Sequence, residues 1–138
     1  MQTRTRIAAL VGAVALAAPV ALASPATALP TPDARKAASK VVIKGFDVKG
    51  VTGPVVFKGV VKSGVKKCRN KRTVKLRQIE AGVNVGKDRT SRSGKWKIRF
   101  SQRKVGPGDM RATLKPKTVK VGGKKVRCSG DKHTYKIG

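Results

Sequence analysis

From Val41 onward, short runs of apolar residues alternate with lysine and arginine, and glycine or proline interrupts them about every eight to twelve residues. That spacing predicts an all-β sandwich or barrel. In Lys95-Trp96-Lys97-Ile98-Arg99-Phe100 every second side chain is apolar and each one between is cationic, so one face turns inward and the other meets water. Thr73-Val74-Lys75-Leu76-Arg77 and Thr118-Val119-Lys120-Val121 repeat the alternation. Met110, Ala112 and Leu114 carry it on, with Arg111 and Thr113 outward. Val55 to Lys62 is denser in apolar residues, as in a strand covered on both faces or a strand that ends in an irregular piece. Val41 to Val48, Val83 to Thr90, Val126 to Cys128 and Thr134 to Ile137 complete the candidates. Turns fit between them: Ser93-Gly94 supplies the positive φ of a tight hairpin, Gly106-Pro107-Gly108 separates Val105 from Met110, and Gly122-Gly123 ends the run at Val121. The expected fold is a single antiparallel β-sandwich of about seven strands over residues 41–138, transthyretin-like or immunoglobulin-like. Its core is expected to contain Val74, Leu76, Trp96, Ile98 and Phe100.

The residues before Val41 follow a different pattern. Arg4 and Arg6 precede an uncharged, Ala-rich and Val-rich run from Ile7 to Ala23, and Ala26-Thr27-Ala28 offers a small-x-small cleavage site. Residues 1–28 therefore read as a secretory signal peptide, with Ala21-Leu22-Ala23 as a second cleavage site. The apolar run is interrupted by Pro19 and falls short of the ~20 residues of a spanning helix, so no transmembrane segment is expected after cleavage. Leu29 to Lys40, with two prolines and no period-two pattern, reads as a flexible linker.

Composition sharpens this picture. The chain carries 33 Lys and Arg against 6 Asp and Glu, a formal net charge of +27, over 138 residues. Only Arg4 and Arg6 leave with the signal segment, so the basicity belongs to the exported, secreted or cell-envelope product. Aromatic residues are 4% of the chain, so its core must be built mainly from aliphatic side chains. Cys68 and Cys128 are the only cysteines. In an oxidising compartment one intramolecular disulfide is expected, since there is no C-x-x-C and only His133 could join them as a soft metal ligand.

No catalytic constellation stands out. His133 and Asp131 share a face by alternation but have no nucleophile beside them, and Glu80 and Asp88 are separated by a glycine-bearing loop. Phosphate-cradling glycine motifs, H-E-x-x-H and a nucleophile elbow are lacking. We expect no enzymatic activity, no cofactor and no metal.

Four segments carry a family resemblance. They are Gly59-Val60-Val61-Lys62-Ser63, Cys68 leading into Arg72-Thr73-Val74-Lys75-Leu76, Thr90-Ser91-Arg92-Ser93-Gly94-Lys95-Trp96, and Pro107-Gly108-Asp109-Met110-Arg111-Ala112. Together, from about Val55 to Cys128, the chain resembles the carboxypeptidase regulatory-like, transthyretin-like group of β-sandwich domains, in particular small secreted versions bearing two cysteines. In that group a T-D-x-x-G-x-[WF] turn feeds a strand whose aromatic plugs the core, and a P-G-x-Y segment starts the next strand. Here Ser91 replaces the Asp and Met110 the Tyr, which speaks against an acidic, cation-binding turn. The resemblance implies a non-catalytic accessory, adhesion or structural module.

What remains to be explained is where the cations fall. Lys66, Lys67, Arg69, Lys71 and Arg72 surround Cys68, while Lys115, Lys117, Lys120, Lys124, Lys125 and Arg127 precede Cys128. A disulfide would draw these two runs together into a positive region that attracts polyanions. Lys66, Lys67, Arg69, Lys71, Arg72, Lys124, Lys125 and Arg127 are thus the expected contacts to anionic cell-envelope polymers. The alternative is a structural or protein-interaction domain whose partner is another envelope protein. Nucleic acid is disfavoured, because export removes it and exposed aromatics for base stacking are scarce.

Overall fold

The period-two segments become strands in the computed structural model, which describes residues 34–104 and 106–137. Among the described residues there are β1 (Arg35–Ala37), β2 (Lys40–Val48), β3 (Pro54–Lys62), a one-turn helix α1 (Lys66–Arg69), β4 (Thr73–Gln78), β5 (Asn84–Arg89), β6 (Lys95–Ser101), β7 (Met110–Leu114), β8 (Lys117–Val121), β9 (Lys124–Cys128) and β10 (Asp131–Tyr135). Seven of these strands make an antiparallel sandwich, one sheet ordered β2-β3-β6 and the other β10-β7-β4-β5. Between them lie Val41, Phe57, Val61, Val74, Leu76, Trp96, Ile98, Phe100, Met110, Ala112 and Leu114, all buried. Each larger member of this set stabilises the fold by roughly 1.5–3 kcal/mol on burial. The five core positions expected from alternation are all in it.

The remaining strands form a third sheet, ordered β1-β9-β8, in which β1 runs parallel to β9. Gly122 and Gly123, at φ 56° and 76°, supply the left-handed pair that closes the tight β8–β9 hairpin. Here the structure corrects the expected linker. Arg35–Ala37 is ordered as a strand beside β9, Ser39 is buried, and the Ser129 N–H donates to the Ala37 carbonyl at 2.9 Å. No alternation marks β1 in the chain because its first two side chains are exposed and only Ala37 packs inward. The expected signal segment and its cleavage sites lie outside the described residues. Among the described residues, no helix is long and apolar enough to cross a membrane.

The scarce carboxylates are spent on the seams of the sandwich. At one edge the Val41 N–H donates to Asp131 Oδ2 at 2.8 Å and the Ile43 N–H to His133 Nδ1 at 3.1 Å, tying β2 to β10. At the other, Asp88 Oδ2 accepts the Lys97 N–H at 2.7 Å and Oδ1 the Arg89 N–H, tying β5 to β6. Side chains thus satisfy backbone donors that would otherwise line open strand edges. Asp88→Ala is expected to lower stability by about 1.5 kcal/mol, the worth of charge-assisted bonds to the backbone, as read by urea denaturation. A loss within a few tenths would mean that water replaces Asp88 at no cost.

Candidate anion-binding surface

The Cys68–Cys128 disulfide is formed, with its Cα atoms 5.5 Å apart, and it joins α1 to the end of β9. Both cysteines are fully buried against Val126, with Ala37, Val65 and Val119 packed around them. The hairpin β8–β9 therefore has an inner face carrying Val119, Val126 and Cys128. Alternation sends Lys120, Lys125 and Arg127 out of the opposite face, where Lys120 and Lys125 are directly paired across the two strands. Lys66 and Lys67 are exposed on α1, and Lys67 Nζ reaches the Lys120 carbonyl at 2.6 Å. Lys124 is exposed at the hairpin turn. The two cation runs do meet, but they wrap the hairpin on both sides rather than building one patch.

Arg72 requires a correction. It is 1% exposed and is not a surface contact. Its Nη1 donates to Ser39 Oγ at 3.2 Å and the Cys68 carbonyl at 2.7 Å, and its Nη2 to the carbonyls of Lys115 at 2.6 Å and Ser129 at 2.9 Å. Four separate stretches of chain thereby converge on one guanidinium. Burial pushes its pKa below the ordinary arginine value, because desolvation disfavours the charged form. Neutral carbonyl dipoles stand where a counter-ion would otherwise be needed. Arg69 is half-buried, and its Nε has no hydrogen-bond partner among the described residues.

Lys71 belongs to a different grouping. It takes a positive φ of 49°, and its N–H is held by the Thr90 carbonyl at 3.0 Å. It lines a cleft of about 450 Å³ together with Lys75, Lys87, Arg89, Lys115 and Lys117. The lining includes no acidic residue. Strand register places Lys75 directly opposite Lys87, and Thr73 opposite Arg89, on the outer face of β4 and β5. Like charges facing each other across a strand pair repel, so the cleft is electrostatically unsatisfied. Lys117 Nζ crosses it to the Lys71 carbonyl at 3.3 Å. Lys75, Lys87, Arg89, Lys115 and Lys117 are not among the expected contacts. Alternation gives Lys75 its outward phase, but pairing with Lys87 depends on a register the chain order does not reveal.

Of the groups considered for catalysis, His133, Asp131 and Asp88 are bound to the framework. His133 Nδ1 accepts from Ile43 and Asp131 from Val41, while Asp109 Oδ1 accepts the Ile137 N–H at 3.2 Å. Asp47 pairs with Lys58. Among the described residues, no three His, Cys, Asp or Glu side chains lie close enough together to hold a metal ion. Compared with protein-family models the chain matches none, and comparison with curated proteins and with solved structures likewise finds no match.

Proposed function

We propose that this protein is a secreted, non-enzymatic β-sandwich module that associates with linear anionic polymers of the cell envelope. The observation that carries this reading is the acid-free cleft in which Lys71, Lys75, Lys87, Arg89, Lys115 and Lys117 face one another. A chain of phosphates or carboxylates laid along it would relieve the repulsion between Lys75 and Lys87 and release its own counterions on binding. The exposed cations of α1 and the β8–β9 hairpin would widen the contact and steer approach without adding a defined geometry. A disulfide-joined fold suits an oxidising, extracellular setting. The resemblance of Val55 to Cys128 to carboxypeptidase regulatory-like domains belongs to the same reading, since it implies an accessory role without catalysis.

Retention of the protein on immobilised polyphosphate or polyuronate, titrated with salt, tests the proposal. Log affinity should fall linearly with log salt concentration, and the Lys75→Gln, Lys87→Gln pair should reduce that slope by about 1 to 2. No retention at low salt would overturn the proposal, as would a slope indifferent to these substitutions. Salt-insensitive retention on whole envelopes would favour a protein partner instead.

A further inference from the structure

Strand register spreads the cations of β4 and β5 over a whole sheet face. Lys132, Thr113, Lys75 and Lys87 stand opposite one another in a row that crosses all four strands of the β10-β7-β4-β5 sheet. Thr134, Arg111, Arg77 and Asn84 form the next row, and Thr73 lies opposite Arg89 on the other side of the first. Val74, Leu76, Ala112 and Leu114, which alternate with these residues, are buried in the core, so the rows are the outward face. They hold only Lys, Arg, Thr and Asn, with no acidic and no apolar side chain. Strands lie about 4.8 Å apart and successive outward residues about 7 Å apart, so the face is a grid of cations. The outward face of the β2-β3-β6 sheet differs: Val42 stands opposite Val60 there, and Asp47 pairs with Lys58.

Arg77 and Arg111 are the directly paired arginines of this grid, and both are exposed. The only ion pair among the described residues joins Lys58 to Asp47, so no carboxylate answers either guanidinium. Arg111 Nε reaches Thr134 Oγ1 at 3.4 Å, on the side away from Arg77. Arg77 Nη2 lies beside Gly82, in the turn between β4 and β5. The two planar forks therefore lean apart, as like charges on directly opposed residues do. An anion set between them must accept from two forks of different orientation. A carboxylate accepts best in the plane of its own atoms, so one fork largely uses it up. The oxygens of a tetrahedral phosphate are not confined to one plane and can serve both.

We infer that the polymer continues from the cleft across this sheet face and is a phosphate-bearing chain, gripped between Arg77 and Arg111. The inference rests on the proposed association with anionic polymers and narrows it from any anionic chain to a polymer of phosphates. Retention on immobilised polyphosphate and on polygalacturonate, each titrated with salt, tests it with variants at exposed positions. The Arg77→Gln, Arg111→Gln pair should lower the salt slope on polyphosphate by about 1 to 2. The Lys97→Gln, Arg99→Gln pair on the other sheet removes the same charge and should leave the slope unchanged. The Arg77→Lys, Arg111→Lys pair keeps the charge and loses the forks. Its slope should stay as it was, while its affinity for polyphosphate relative to polygalacturonate falls by about threefold or more. Wild-type protein that is not retained at all removes the polymer reading itself. A slope that responds to Lys75 and Lys87 but not to Arg77 and Arg111 leaves that reading standing and overturns this one. An unchanged relative affinity in the lysine pair also overturns it, since the face would then count charge alone. So does tighter binding to phosphatidylglycerol vesicles than to polyphosphate, compared per phosphate, which would make the partner a membrane surface.

Discussion

Replacing Arg72 by Met is expected to lower the unfolding free energy by about 3 kcal/mol or more, because it strips the donors from a set of buried acceptors. Met fills much of the same volume, so a cavity is not the main cause. The carbonyls of Cys68, Lys115 and Ser129 would be left without the guanidinium they now share. These acceptors lie in α1, in the link between β7 and β8, and in the link between β9 and β10, while Ser39 Oγ adds the link between β1 and β2. The guanidinium therefore holds together chain ends that the core of the sandwich does not reach. Arg72→Lys should recover only part of the loss, since an ammonium keeps the charge but lacks the planar fork that serves two acceptors from each terminal nitrogen. Urea denaturation with the disulfide intact measures both variants. A loss below about 1 kcal/mol for Arg72→Met would show that water replaces the cage. Polymer retention by folded Arg72→Met should keep its salt slope, because the side chain is 1% exposed and offers nothing to a ligand.

The second large effect is expected at the disulfide. Its ends are 60 residues apart in sequence, and in the chain-entropy picture a closed loop of that size contributes about 4 kcal/mol. The Cys68→Ala, Cys128→Ala pair should lose about 2–4 kcal/mol. The loss should also be uneven across the molecule. Cys68, Cys128 and Val126 form a small cluster separate from the sandwich core, with Ala37, Val65 and Val119 around it. Without the covalent link, β8 and β9 keep that cluster, the pairing with β1, the bonds of Lys67 to the Lys120 carbonyl and of Lys117 to the Lys71 carbonyl, and at their flanks the contacts of Arg72 to Lys115 and Ser129. Hydrogen exchange should then show amides of β8 and β9 opening at far lower free energy than those of β4, β6 and β7. Equal protection in both regions would mean that the third sheet is held by its packing alone.

These two predictions concern residues whose roles are legible to different degrees. Cys68 and Cys128 can be paired from the chain because there is no other candidate. Arg72 is a cation in a run of cations, and its neighbours suggest a surface. Its phase says otherwise: Val74, Leu76 and Gln78 are buried on β4, and counting back by two from Val74 arrives at Arg72. The alternation thus carried a signal that composition obscured. Gln78 fits the same rule, inward at 1% exposure with its amide nitrogen donating to the Gly106 and Pro107 carbonyls.

Strand positions, the inward phase of Trp96, Ile98 and Phe100, and the cationic outer faces were all set by the amino-acid sequence itself. Alternation is a local property, and burying one face of a strand requires it wherever the strand lies. Which cations stand together was decided only by tertiary structure. Lys75 meets Lys87, and Lys58 meets Lys97, through strand register. Register depends on how whole sheets pack and turn, so no window of sequence contains it. For the same reason Arg35–Ala37, whose sequence shows no pattern, becomes a strand through β9. The charge is a fact of composition, but its sorting into an acid-free cleft, a cation-bearing hairpin and one buried guanidinium follows from the contacts that folding creates.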